Sequence, residues 1–375
     1  MSQRIRVGVM FGGKSGEHEV SLASAYSVMT HLDPARFEVV PIGIAKDGRW
    51  LAGGEAWPQL RADAKIALGP SDSDVPRGTL DEQSAAALVR LPGGALETRP
   101  AAVLGQIDVV FPVLHGTNGE DGTMQGLLEL ADLPYVGPGV AASALAMDKV
   151  QSKRVLEAAG IPQCDYREVR RCDLERDPAA VAATVAELGW PVFVKPANLG
   201  SSVGISKVHG PEELAAALEL AARFDRRLIV EAGVPAAREI EVAVLGNDDP
   251  QASVPGEIIP CEEFYSYEAK YLKPDSELLI PAPLSEATAA RIRELAIAAY
   301  RALDLAGLSR VDFLVPRGTE EVYLNEINTI PGFTPISMYP KLWAASGLSY
   351  DELLARLVEL AIERHQDKSR SATSI

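Results

Sequence analysis

The stretch IRVGVMFGGKSGEHEVS, residues 5–21, sets the first constraint on the chain. Its letters GVMFGGKS, Gly8–Ser15, satisfy G-x-x-x-x-G-K-[ST], the phosphate-cradling loop of a large class of nucleotide hydrolases. In that loop the first glycine ends a strand, and the chain wraps a phosphate before a helix begins. Here Gly8 lies inside the apolar run Ile5, Val7, Val9, Met10 and Phe11. The strand therefore continues past Gly8, and the turn is confined to Gly12–Gly16. A nucleotide site must be sought elsewhere.

Beyond the turn, Ser21 reads as a helix N-cap, with Leu22, Ala25, Met29 and Leu32 following at helical spacing. FEVVPIGI (37–44) reads as a second strand, and IDVVFPVLHG (107–116) as a continuous buried one. Residues 45–100 are rich in Gly, Pro, Ala and Asp with weak periodicity, and read as an elaborated insertion. After the loop TNGEDG a helix runs through Leu127, Leu128 and Leu130. This alternation of strand and helix makes residues 1–148 an α/β domain around a parallel sheet.

A helix from about Ser143 to a Gly160 stop carries Lys149. The strands WPVFVKP and RRLIVEA, with the helix PEELAAALELAARF, form a second α+β unit, 149–233. Residues 234–375 add the strands REIEVAVLG, ASVPGEII, LSRVDFLVP and EVYLNEIN. They also hold an amphipathic helix at 285–306 and a last helix opened by the capping box Ser349-x-x-Glu352.

With 36 Lys and Arg against 52 Asp and Glu, the net charge of −16 argues against nucleic acid or an anionic membrane as partner. Local cations can still hold an anionic substrate. Cys164, Cys172 and Cys261 show no metal spacing, and their odd number suits a reducing cytoplasm. The chain opens without a signal-peptide pattern, and no apolar run reaches the ~18 residues that span a bilayer.

The strongest chemical signal is VDF…NEIN. Asp312 lies on one strand, and fourteen residues later Glu326 opens the pair Glu326/Asn328 on another. Positions i and i+2 of a strand share a face, so two carboxylates and an amide oxygen gather as hard ligands for Mg²⁺. A solvated strand face is the bland alternative, but these acids alternate with Val311, Phe313, Leu324 and Ile327. Lys195 ends the buried strand VFVKP and feeds NLGSSVGIS, where Gly200, Ser201, Ser202 and Gly204 can cover phosphates. Taken singly, that loop could be a plain hairpin, Lys149 an exposed helix lysine, and His115 a structural histidine. A strand such as RRLIV, ending at Glu231, can offer its backbone to adenine, and Glu239 could take ribose hydroxyls.

Together, VFVKPANLGSSVGISKV, LIVEAG…EIEVAVLG, FYSYEAKY, SRVDFLV and NEINTIPGFTPISMYPKLW resemble the D-alanine–D-alanine ligases of the ATP-grasp superfamily. FGGKSGEHEVSLASA and LHGTNGEDGTMQGLLELADLPYVG resemble that family's N-terminal domain, so the likeness covers residues 5–360. It implies an ATP-grasp fold behind a Rossmann-like parallel-sheet domain, and ATP-driven joining of two D-alanines in the cytoplasm for peptidoglycan. By the same resemblance Glu17 anchors the amino group of the first D-alanine and closes a triad with Ser201 and Tyr271. Lys149, Lys195, Gly200 and Ser202 are implied to bind ATP phosphates, and Glu231, Ala232, Val234 and Glu239 the adenosine. Asp312, Glu326 and Asn328 are implied to hold two Mg²⁺, with Mn²⁺ as a substitute. Arg310 and the Gly332 N–H are implied to stabilise the oxyanion, and Ser337 and Met338 to take the acceptor's carboxylate. His115 and Lys270 stand on the substrate side, and a homodimer is compatible with the family. The chain departs from the family pattern in one extra residue between Glu231 and Glu239, and in Pro335 before Ile336.

Overall fold

The computed structural model describes residues 4–53, 56–62, 106–200, 202–259, 277–334 and 336–372. Three sheets converge on one cleft. The first has the order β3-β2-β1-β4, from β1 (Ile5–Gly12), β2 (Phe37–Ile44), β3 (Trp50–Ala52) and β4 (Val109–Pro112). β1 pairs in parallel with β2 and β4, and β3 adds an antiparallel edge. The expected parallel sheet is therefore present. Gly8 sits mid-strand, where an added Cβ would lie 2.8 Å from the Ile107 side chain. It is a packing glycine, and the strand does run through it.

Helix α1 (His18–His31) begins earlier than the sequence suggests. Gly12 and Gly13 hold φ of 93° and 96°, which turns the chain back sharply enough for Glu17 to take the N-cap position. Ser21 is not the cap. Its hydroxyl donates to Val113 O at 2.5 Å and accepts from Gly12 N–H at 2.8 Å, tying the ends of the first and last strands together. Part of the region read as an insertion is also structural. β3 and helix α2 (Ala56–Ala62) complete this layer, with Trp57 buried against Phe11 and Tyr26. Residues 63–100 of that reading lie outside the described residues.

On the far side of the sheet, α3 (Thr123–Leu130) packs Met124 and Leu128 against Met10 and Val110. The helix expected from Ser143 to Gly160 is two helices, α4 (Val140–Met147) and α5 (Lys149–Ala158). Asp148 is extended between them, and its carboxylate accepts from Val150 N–H and Gln151 N–H at 3.1 and 3.0 Å. That cap restarts the helix at Lys149.

The second sheet, order β5-β8-β6-β7, is antiparallel: β5 (Tyr166–Arg170), β6 (Val192–Pro196), β7 (Ser206–Val208) and β8 (Arg227–Ala232). After β5 come α6 (Arg171–Arg176) and α7 (Pro178–Ala186), and α8 (Pro211–Ala222) follows β7. Val192, Val194, Leu228 and Val230 bury against Val185, Leu214 and Leu218 in a separate core.

The third sheet has the order β12-β11-β9-β13-β14, with β10 (Gln251–Ala252) beside β9. Its strands are β9 (Ala237–Gly246), β11 (Gly256–Ile259), β12 (Glu277–Leu279), β13 (Gly307–Pro316) and β14 (Tyr323–Asn328). Period-two alternation divides its residues. Val242, Val244, Val311 and Phe313 face α9 (Glu286–Ala302), while Ala243, Leu245 and Leu308 join the core of the first sheet. Helices α10 (Met338–Ala345) and α11 (Tyr350–Lys368) complete that shared core, and α11 carries the expected Ser349/Glu352 capping box. Among the described residues no helix is long and apolar enough to cross a membrane.

Leu357 of α11 is fully buried where the two sheets share their core. Leu357→Ala is expected to lower stability by about 2–5 kcal/mol through the cavity it leaves. Thermal unfolding measures this, and a midpoint equal to wild type would contradict the shared core.

Candidate active site

β13 and β14 put the charged side chains opposite one another. Asp312 pairs with Glu326 and Arg310 with Asn328, on the face away from Val311 and Ile327. Arg310 forks onto Asp312 with two bonds of 2.7 Å and lies 3.0 Å from Glu241 on β9. Asn328 Nδ2 also donates to Asp312 at 2.8 Å. Burial works against the Arg310 charge, but Asp312 and Glu241 outweigh it and hold the guanidinium well above its usual pKa. Among the described residues no three His, Cys, Asp or Glu side chains form a metal cluster. The set here is two carboxylates and an amide, donors that suit a hard cation.

The lysines come from the second sheet and from α5. Lys149 Nζ donates to Leu199 O at 2.8 Å and lies 3.9 Å from Glu326. Lys195 is buried at the end of β6, 2.5 Å from Glu231 Oε2, while Lys153 lies 2.8 Å from Glu231 Oε1. Burial alone would raise the Glu231 carboxyl, yet the two lysines overcome it and hold its pKa down to about 2. The Glu231 carboxylate is thus committed to lysines. Ala232 N–H bonds Asp165 O at 2.9 Å, and Val234 lies half-buried in the turn that follows β8. That turn contains Ala236 at φ 46°, a left-handed residue just before β9.

The glycine turn brings Glu17 in from the other side. Glu17 is buried, and a Cβ at Gly116 would sit 2.7 Å from its carboxylate, one at Gly200 3.5 Å away. These glycines let two backbones close on one carboxylate. His115 is buried beside them, with Nδ1 3.0 Å from Ile330 O and Nε2 3.1 Å from Ser24 Oγ. Burial pushes its pKa down to about 4, so the ring is neutral at pH 7. Glu120 accepts from Gly116 N–H at 2.7 Å. Burial and the nearby Glu17 push the Glu120 carboxyl well above the ordinary range.

The third wall is the loop 329–337. At Gly332 an added Cβ would lie 2.9 Å from Ser337 Oγ and would displace that hydroxyl. Ser337 Oγ accepts from Thr334 N–H at 3.0 Å, and Met338 opens α10. The cleft has a volume of about 520 Å³, and Glu17, Lys149, Gly200, Arg310, Asn328 and Ser337 all line it. His115, Ser202, Glu326, Gly332 and Met338 line it too. Lys195, Glu231, Ala232, Val234, Glu239 and Asp312 stand outside that cavity, on or beside β6, β8, β9 and β13. Ser201, Lys270, Tyr271 and Pro335 lie outside the described residues. Sequence reasoning missed Glu120, Lys153 and Glu241, and also Lys341, which lines the cleft from α10. Only Glu120, within the quoted TNGEDG loop, carried a signal that could have been used.

A family model described as the D-ala D-ala ligase N-terminus matches residues 6–138, and one described as the D-ala D-ala ligase C-terminus matches 155–359. A D-alanine–D-alanine ligase of Natranaerobius thermophilus is 49% identical over 372 residues, covering 99% of this chain and 98% of the relative. One from Thermoanaerobacter sp. is 51% identical over 371 residues, covering 98% and 99%. Among solved structures, the D-alanine-D-alanine ligase from Coxiella burnetii superposes with TM-score 0.78 at 37% identity, covering 98% of this chain and 97% of that one. The VanG D-Ala:D-Ser ligase from Enterococcus faecalis superposes with TM-score 0.77 at 35% identity, covering 96% and 100%.

His115 gives a pH prediction. Its pKa is depressed from 6.5 to about 4, so its contribution is present above 6.5 and lost as pH falls towards 4. Over that window it amounts to about 3 kcal/mol. Glu120, shifted upward, carries the opposite sign, so the comparison is best made between variants. The stability gap between wild type and His115→Gln is expected to shrink as pH is lowered through this window. A gap independent of pH, read by thermal unfolding, would refute a neutral buried His115.

Proposed function

The chain belongs to the D-alanine–D-alanine ligase family and joins two D-alanines with ATP for cell-wall precursor synthesis; we propose that the cleft at the meeting of its three sheets does so with the residues above. The fold is ATP-grasp, behind a parallel-sheet N-terminal unit. The observation that carries the reading is convergence. Glu17 from the glycine turn, Lys149 from α5, Arg310 and Asn328 from the third sheet, and Gly332 line one cavity. We divide the chain at 1–148, 149–233 and 234–375, for donor binding, nucleotide covering and catalysis.

In this reading Glu17 holds the ammonium of the first D-alanine, in a triad with Ser201 and Tyr271. Glu120, whose carboxyl is pushed upward by burial and by Glu17, lines the cleft beside that anchor. Lys149 and Lys195 meet the ATP phosphates under Gly200 and Ser202, while Glu231, Ala232, Val234 and Glu239 face the adenosine. Asp312, Glu326 and Asn328 fit hard cations, and would hold two Mg²⁺, or Mn²⁺, whose charge neutralises the phosphoryl group in transfer.

The first carboxylate takes the γ-phosphoryl group and becomes an acylphosphate. The second amine then attacks its carbonyl carbon, the bond to phosphate breaks, and D-alanyl-D-alanine, ADP and phosphate result. Arg310 and the Gly332 N–H meet the oxyanion, and Ser337 and Met338 hold the acceptor's carboxylate, with His115 and Lys270 beside the substrates.

We place the reaction in the cytoplasm, in keeping with the free thiols Cys164 and Cys172. We also propose a homodimer, for which Leu127, Leu130 and Val140, exposed on the adjoining α3 and α4, offer an apolar surface.

Asp312→Asn and Glu326→Gln are each expected to lower turnover by on the order of a hundredfold or more while the fold survives. Near-wild-type turnover at saturating Mg²⁺ would contradict the metal assignment. Glu17→Gln should raise KM for the first D-alanine on the order of tenfold and spare ATP, because an amide cannot match the ammonium charge. The function itself is read by phosphate release that depends on D-alanine, with D-alanyl-D-alanine identified by mass. Offered equimolar D-alanine and D-lactate, the enzyme should make chiefly the dipeptide, since FYSYEAKY, 264–271, contains no His whose protonated ring could offset the net negative charge of a hydroxy acid. Predominant D-alanyl-D-lactate would overturn that acceptor assignment.

A further inference from the structure

We propose that Ser24 is a positioning residue for the ligation step, its buried hydroxyl coupling the helix that carries Glu17 to the loop that carries the Gly332 amide. The inference rests on the ligase reading above. Its core is a chain of three hydrogen bonds that can run in only one direction.

His115 Nδ1 faces Ile330 O at 3.0 Å, and a carbonyl only accepts, so the ring proton sits on Nδ1. Nε2 is then a lone pair, and Ser24 Oγ, 3.1 Å away, must donate to it. With that proton used, Ser24 Oγ accepts from Phe333 N–H at 3.1 Å. Any other tautomer leaves a buried group without a partner, which costs more than the bond itself contributes. The depressed pKa of His115 agrees with the neutral ring this requires.

The chain spans the cleft. Ser24 lies on α1 seven residues after the N-cap Glu17, roughly 10 Å further along the helix axis. Ile330 O and Phe333 N–H are anchored through His115 and Ser24, and Gly332 lies between these two points. The loop is tight at Gly332 against Ser337, so its amide direction follows from the anchors on either side. Ser15 closes the circuit. Its hydroxyl donates to His115 O at 2.7 Å and accepts from Glu17 N–H at 3.3 Å. The donor anchor and the oxyanion amide therefore share one rigid frame, with Ser24 fully buried at its centre.

Ser24→Ala frees Phe333 N–H and His115 Nε2, and with them the loop. The lysines near the phosphates lie on other elements and keep their partners. Steady-state kinetics on the full chain should show kcat reduced at least tenfold in Ser24→Ala, with KM for ATP within twofold of wild type. Ser24→Cys keeps the volume but bonds weakly, and should fall in the same direction. It decides the matter if Ser24→Ala does not fold. Turnover within twofold of wild type in the folded variants overturns the proposal. So does a loss of kcat that merely tracks a smaller ATP-binding fraction, the signature of a structural role. A wild-type protein that makes no D-alanyl-D-alanine sinks the ligase reading instead, before either variant is compared.

Discussion

Arg310 is the charge on which the cleft depends. A guanidinium largely withdrawn from water is tolerated only when its partners are close and well aimed, and here Asp312 supplies a fork and Glu241 a third contact. The three groups lie on β9 and β13, the most extensively paired strands of the third sheet. Removing the arginine would leave the buried Glu241 and the half-buried Asp312 without their shared counter-charge, beside Glu326. Removing Asp312 would leave a cation with half its partners. Acidic and basic groups on that face are therefore mutually dependent, and the strand pairing holds them in register.

The same logic reconciles a chain of net charge −16 with an anionic nucleotide. Lys149, Lys153, Lys195 and Arg310 are drawn inward, each with a carboxylate within 3.9 Å. What ATP meets is set by the local cations, because bulk charge is screened over about 8–10 Å in physiological salt.

Much of this was readable from order in the sequence. Asp312, Glu326 and Asn328 alternate with buried apolar residues, so strand periodicity alone put them on one face. The continuous apolar run through Gly8 excluded the phosphate loop that its letters spelled. The Ser349 box is local and was read correctly. What could not be read depends on partners distant in the chain. Ser21 has the chemistry of a cap but bonds across two strands. Asp148 breaks a helix that periodicity would have continued. Lys153 looks like any helical lysine until Glu231 arrives from β8, and Glu241 like any strand-face acid until Arg310 does. Residues 260–276 carry the FYSYEAKY motif and belong to no described element, so that resemblance stands on the sequence alone.

The separate core of the second sheet has a further consequence. Its valines and leucines bury against α7 and α8 and share no residue with the core that joins the first and third sheets. Regions with independent cores open independently, at a free energy below that of global unfolding. A transient loosening of residues 166–232 would expose Lys195 and Glu231 to solvent exchange while Glu17, His115 and the loop 329–337 stayed protected. The second sheet and the elements around Glu17 thus rest on different cores, and one can loosen without melting the other.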